Sequence, residues 1–131
     1  MLGVVLESYE TMRERLASDD LAAARGPAGK IALAFVDYPV ESRLLPLLSS
    51  AARKAKAAND IAEMRLAFGE MSKLVIEILV EKPELQRGRY LFMCPMAKGY
   101  QKWVQTTPEL RNPYFGKAML ECGEALHEWK S

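Results

Sequence analysis

Histidine is almost missing: the chain has one, His127, in 131 residues. A single imidazole cannot build a His-rich zinc site, and it argues against most Ser/His or Cys/His catalytic arrangements. An excess of one charge is missing too. Eighteen Lys and Arg stand against seventeen Asp and Glu, so no global field favours nucleic acid or an anionic membrane. No apolar run approaches the roughly 20 residues that span a bilayer, so no membrane insertion is expected. "MLGVVLES" lacks a basic n-region and is too short for a signal peptide, so the chain reads as cytoplasmic or as a trimmed mature domain. Cysteine is scarce, with Cys94 and Cys122 alone, and such a pair can be a disulfide, a metal site or two free thiols.

What is present is globular: 50% hydrophobic and 27% charged residues, enough for one domain over 1–131 with a real core. The first eighty or so residues read as helix. Val5, Tyr9, Met12 and Leu16 recur at helical spacing, and "SDDL" follows with a capping serine and two acids. Ala24, Ala28, Ile31 and Phe35 continue the pattern, although "GPAG" weakens that helix and invites a bend. "DYPVES" is a break. Leu44, Leu48, Ala51 and Ala55 make a third stripe, with its start blurred by Pro46, and Asn59 is the expected cap of the fourth. Ile61, Met64, Phe68, Met71, Val75 and Ile78 then alternate spacings of three and four. Four amphipathic stretches with short connections predict an all-α fold, an antiparallel four-helix bundle over about 3–81. Arg53, Lys54 and Lys56 read as a solvated basic face. Glu63, Glu70, Glu77 and Glu81 read as a polar face, with no histidines to make a di-iron site.

The character changes after "EKPELQRG". The segment at about 90–128 is richer in aromatics, Pro and Gly, and it holds both cysteines. "TTPEL" predicts a capped helical turn with Pro108 at its first position. "NPYFG" predicts a turn, capped by Asn112, into a last helix packed on the bundle. Gly116 reads as a close-packing position.

"YLFMCPMAKGYQKWVQ" followed by "LRNPYFGKAMLECGE" resembles the bacterial DUF3347 family, a helical domain with a CPMA segment and a later NPYxG…MLxCG segment. The upstream "DDLAAAR" and "DIAEMRLAFGEMSKLV" also look like that family's bundle helices. The matching positions are Cys94, Pro95 and Met96, then Asn112 to Gly116, Met119, Cys122 and Gly123. The resemblance implies a periplasmic or otherwise exported protein with a role in heavy-metal resistance. Members occur as domains of copper and silver efflux adaptors, so metal-efflux or metallochaperone proteins are the implied partners. Because the two motifs recur together, it also implies that Cys94 and Cys122 are neighbours.

Soft thiolate and thioether donors select Cu(I) and similar ions over Mg, Ca or Mn. Met119 and Cys122 would share a face on a helix, and Cys94 and Met96 would share one in an extended segment. Cys94, Met96, Met119 and Cys122 are thus a candidate four-sulfur set for Cu(I) or Ag(I). Phe115, Met119, Cys122 and Leu126 are equally an ordinary core stripe, with methionine filling gaps. Met93 reads as core. His127 reads as a surface residue. Trp103 and Tyr114 read as aromatics packed on the bundle or capping a cation. The competing expectation is a Cys94–Cys122 disulfide stapling a structural interaction module that holds no metal. An enzyme is not expected, since no base stands ready to activate either thiol.

Overall fold

The computed structural model describes residues 2–34 and 43–131. Four helices come first: α1 (Leu2–Ala17), α2 (Leu21–Leu33), α3 (Leu45–Lys56) and α4 (Ile61–Glu81). Each packs on the next in chain order, and α4 carries the tail. The apolar stripes read from spacing are the buried faces: Val5, Met12 and Leu16 on α1, Leu48 and Ala55 on α3, Met64, Phe68 and Met71 on α4. Phe35 and the break at "DYPVES" lie outside the described residues. No helix among those described is long and apolar enough to cross a membrane.

The helix ends depart from expectation by a residue or two, for a physical reason in each case. Asp20, not Ser18, caps α2 by accepting from the Ala23 amide at 3.0 Å. Asp60, not Asn59, caps α4 by accepting from the Glu63 amide at 2.8 Å. Glu63 reaches back to the Asn59 amide at 2.7 Å, which makes a reciprocal cap of a kind that spares two donors. α2 runs through Pro27 without interruption because Ala24, Ala28 and Ile31 bury its whole inner face, and packing outweighs the lost main-chain bond. Pro46 falls in the first turn of α3, where it removes no helical hydrogen bond.

The larger correction concerns the tail, which makes the fold not purely all-α. Beyond a short 3₁₀ turn (Pro83–Gln86), strands β1 (Tyr90–Met93), β2 (Lys102–Gln105) and β3 (Glu124–Leu126) form an antiparallel sheet in the order β2-β1-β3. The expected last helix is a single 3₁₀ turn (Gly116–Met119) followed by β3, and "TTPEL" forms bends with no helix. Two backbone positions forbid a long helix there. Gly116 and Gly123 sit at φ of +59° and +142°, in left-handed space that an α-helix cannot use. "YLFM" and "KWVQ" are four-residue strands rich in aromatic and β-branched residues.

An aromatic series welds sheet to helices. Tyr9 of α1 stacks on Phe68 of α4 with centroids 4.8 Å apart, and Phe68 meets Tyr114 edge-on at 6.1 Å. Tyr114 meets Trp103 at 5.8 Å, and Trp103 stacks on Phe92 at 5.7 Å. The Tyr9 hydroxyl lies 2.7 Å from Ser72 Oγ and accepts from the Val104 amide at 3.3 Å, so one phenol ties α1, α4 and β2. Burial holds its pKa well above the ordinary tyrosine value. Trp103 is fully buried and donates Nε1–H to Gln105, which leaves its ring as packing rather than an open cation cap.

Candidate metal centre

Cys94 is the first residue past β1 and is wholly buried. Its amide donates to the Gln101 carbonyl at 2.8 Å, and its carbonyl accepts from the Ala97 amide at 3.2 Å. Residues 94–97 therefore close a β-turn with Pro95 at its second position, where a fixed φ is favoured. The Gln101 side chain lashes the turn by donating to the Pro95 carbonyl at 3.0 Å. Met96 stands at the tip, 60% exposed. Cys94 and Met96 therefore do not share a face, as an extended segment would require. The turn sends one inward and the other to solvent.

The second segment is held by Asn112, a buried amide that makes bonds in three directions. Its Nδ2 donates to the Cys122 carbonyl at 2.8 Å, its Oδ1 accepts from the Tyr114 amide at 2.7 Å, and its own amide donates to the Leu120 carbonyl at 2.7 Å. Asn112 is thus the fold point of a compact loop, not a helix cap. Gly116 approaches the α1–α2 corner so closely that a Cβ there would collide with the Asp19 carboxylate. Asp19 in turn accepts from the Lys117 amide at 2.9 Å and from Arg65 at 2.8 Å. Arg65 also donates Nε–H to the Pro113 carbonyl and Nη2–H to the Leu16 carbonyl, each at 2.8 Å. Sequence reading found neither Asp19 nor Arg65. No spacing rule connects a residue on α4 to a carbonyl 48 positions away.

The sheet brings the cysteines together. The β1–β3 register pairs Met93 with Glu124, and continued by one residue it sets Cys94 across from Gly123, beside Cys122. Gly123 is required there: a Cβ on it would lie 2.7 Å from the Met93 carbonyl oxygen. The two cysteines, 28 positions apart in sequence, thus stand on neighbouring stretches of chain. Both are free. Burial, then the neighbouring Cys94 sulfur, push the Cys122 thiol above its ordinary pKa. Cys122 is only half-buried, so the pair is reached from its side. Met119 is half-buried on the 3₁₀ turn, and its carbonyl accepts from the Cys122 amide at 3.1 Å. Met93 is half-buried, and His127 is exposed at the end of β3.

Among the described residues, no group of three or more His, Cys, Asp or Glu is gathered as a metal site would need. The donors on offer are sulfurs. A cavity of about 410 Å³ opens nearby, walled by Arg65 and Leu66 of α4, by Ala97 to Tyr100 and by Phe115. Neither cysteine lines it, so an ion held by the thiols would not sit there. Comparisons with protein-family models, with curated proteins and with solved structures found no match to this chain.

Proposed function

We propose that the protein binds a soft monovalent metal ion, Cu(I) or Ag(I), through the thiolates of Cys94 and Cys122. Its role is buffering, transfer or efflux of the metal rather than catalysis. The observation that carries this reading is the β1–β3 register, which sets two cysteine-bearing segments from distant parts of the chain side by side, with Cys122 half-open to solvent. Two adjacent thiolates suit Cu(I), which accepts soft donors in low coordination number, and they leave hard cations poorly served. Met119 is proposed as a weaker thioether ligand that completes the site, and Met96, turned to solvent at the tip of the 94–97 turn, as a thioether that collects the ion. The paired CPMA and MLxCG motifs, with their resemblance to the DUF3347 family, support an exported, periplasmic setting and a metallochaperone or efflux protein as partner.

The experiment is a Cu(I) titration of the reduced chain against a competing chelator. Wild type should bind one equivalent tightly, and the double variant Cys94→Ser/Cys122→Ser should not. Equal binding by the two would end the proposal.

The second reading is the disulfide-stapled interaction module, favoured by the same pairing of segments. Urea unfolding of the oxidised and reduced chains separates the two: a structural staple should stabilise the oxidised fold by about 2–4 kcal/mol, whereas equal stability with tight Cu(I) binding by the reduced chain favours metal.

A further inference from the structure

We propose that the Cys94–Cys122 pair is a redox switch on the metal site, oxidised at Cys122 first and closed by Cys94 as the resolving thiol. The inference rests on the soft-metal reading only in its last consequence, the loss of metal. The chemistry up to the disulfide rests on the β1–β3 register and on the unequal burial of the two cysteines.

The asymmetry of the pair assigns the roles. Cys94 is fully buried behind its turn, whereas Cys122 is half-buried on the loop between the 3₁₀ turn and β3. A hydroperoxide diffusing from solvent meets the Cys122 sulfur. Exposure, not acidity, makes it the first target: its thiolate fraction attacks one peroxide oxygen, an S–O bond forms, the O–O bond breaks, and the departing oxygen takes a proton and leaves as water or alcohol. Cys122 is then a sulfenic acid, two electrons poorer, and the peroxide has gained them. Cys94 stands on the neighbouring segment, across from Gly123. Its sulfur attacks the Cys122 sulfur, an S–S bond forms, the S–O bond breaks, and water leaves with the Cys94 proton. The sum is dithiol plus hydroperoxide giving disulfide, alcohol or water, and one further water.

The surroundings favour closing the bond within the chain. The β1–β3 register holds the two segments side by side, and Asn112 clamps the Cys122 carbonyl, so the sulfurs do not have to find each other. A buried Cys94 is also shielded from a second protein molecule. The electron pairs that would bind metal are spent in the S–S bond, so the oxidised protein releases its ion. A bound ion, in turn, shields both sulfurs from peroxide.

The test uses the full reduced chain and hydrogen peroxide. Wild type quenched early with dimedone should carry the adduct on Cys122, and at completion it should be a monomer lighter by two hydrogens. Cys94→Ser should accumulate the Cys122 adduct, and Cys122→Ser should react at Cys94 at least about tenfold more slowly. The early wild-type adduct needs no substitution, so it stands even if Cys94→Ser folds poorly. An adduct on Cys94, or an intermolecular dimer as the main product, would overturn the assignment. Ag(I), which has no redox chemistry with peroxide of the Cu(I) kind, reads the last step. Oxidised protein should bind it at least about a hundredfold more weakly than reduced protein, and silver-loaded protein should resist peroxide. Equal silver affinity of both forms overturns the gating. If the reduced form itself binds no silver, the gating falls with the metal reading, and the disulfide result shows that the thiol chemistry did not fail.

Discussion

At the scale of single residues, the two thiols and the two thioethers carry different expectations. Cys122 holds its proton more tightly than an ordinary cysteine because burial and Cys94 both disfavour its thiolate. A metal bound by both sulfurs must displace both protons. Apparent Cu(I) affinity should therefore climb with pH, by up to about a hundredfold per unit while both thiols are protonated, and fall as pH drops. A competition titration at three pH values measures the slope, and a flat response would point to methionine donors alone. Met96→Leu is a cleaner probe than either cysteine change. Met96 is 60% exposed, so stability should move by no more than about 0.5 kcal/mol, while Cu(I) affinity in the competition titration should fall. Met119→Leu conserves volume at a half-buried position and should cost under about 1.5 kcal/mol by thermal or urea unfolding.

Among the elements, the loop from Asn112 to Gly123 matters most, because nearly all of its order comes from a few bonds rather than from regular structure. Asn112→Ala would leave the Tyr114 amide and the Cys122 carbonyl without partners in a buried setting. Each orphaned group costs about 1–3 kcal/mol, so urea unfolding should show a loss on the order of 2–6 kcal/mol. Metal affinity should fall with it, since Cys122 loses its clamp. Gly116→Ala meets two penalties. A φ of +59° costs a non-glycine residue about 1–3 kcal/mol, and the added Cβ strikes the Asp19 carboxylate. Gly116→Ala should therefore destabilise by at least that amount, and Asp19→Ala should relieve part of it when the two changes are combined.

For the molecule as a whole, Asp19 and Arg65 tie the tail to the helices, and the tie has a pH signature. Hydrogen bonding from Arg65, then from the Lys117 amide, lowers the Asp19 pKa below the ordinary carboxylate value. A group whose folded pKa is lowered stabilises the fold above its unfolded pKa of about 4, and that contribution fades as pH falls through the folded value. The stability gap between wild type and Asp19→Asn should thus be constant near neutrality and narrow below about pH 4, as followed by thermal unfolding. A gap that widened on acidification would contradict the tie. Tyr9→Phe tests the other junction. It removes the hydroxyl that serves Ser72 and the Val104 amide while keeping the ring stack on Phe68, and should cost about 1–3 kcal/mol.

The sequence by itself determined the helices, since a 3.6-residue repeat of apolar side chains has one way to bury itself and α4 repeats it from Ile61 to Ile78. It also marked the chemical segments, because a turn proline between Cys94 and Met96 and a glycine after Cys122 are local facts. Helix caps were legible to within a residue or two, where Ser, Asp and Asn compete for the same amide. The sheet was not legible. Four-residue strands carry too little periodicity to outweigh a helical reading, and "FGKAMLEC" has helical spacing although Gly116, which opens its 3₁₀ turn, and Gly123 beyond it sit at positive φ. The resemblance implied that Cys94 and Cys122 are neighbours, and the tertiary structure decided how their segments meet. The β1–β3 register brings Cys122 to Cys94 while the 94–97 turn carries Met96 outward, and a pairing register is a property of two strands that no single segment encodes.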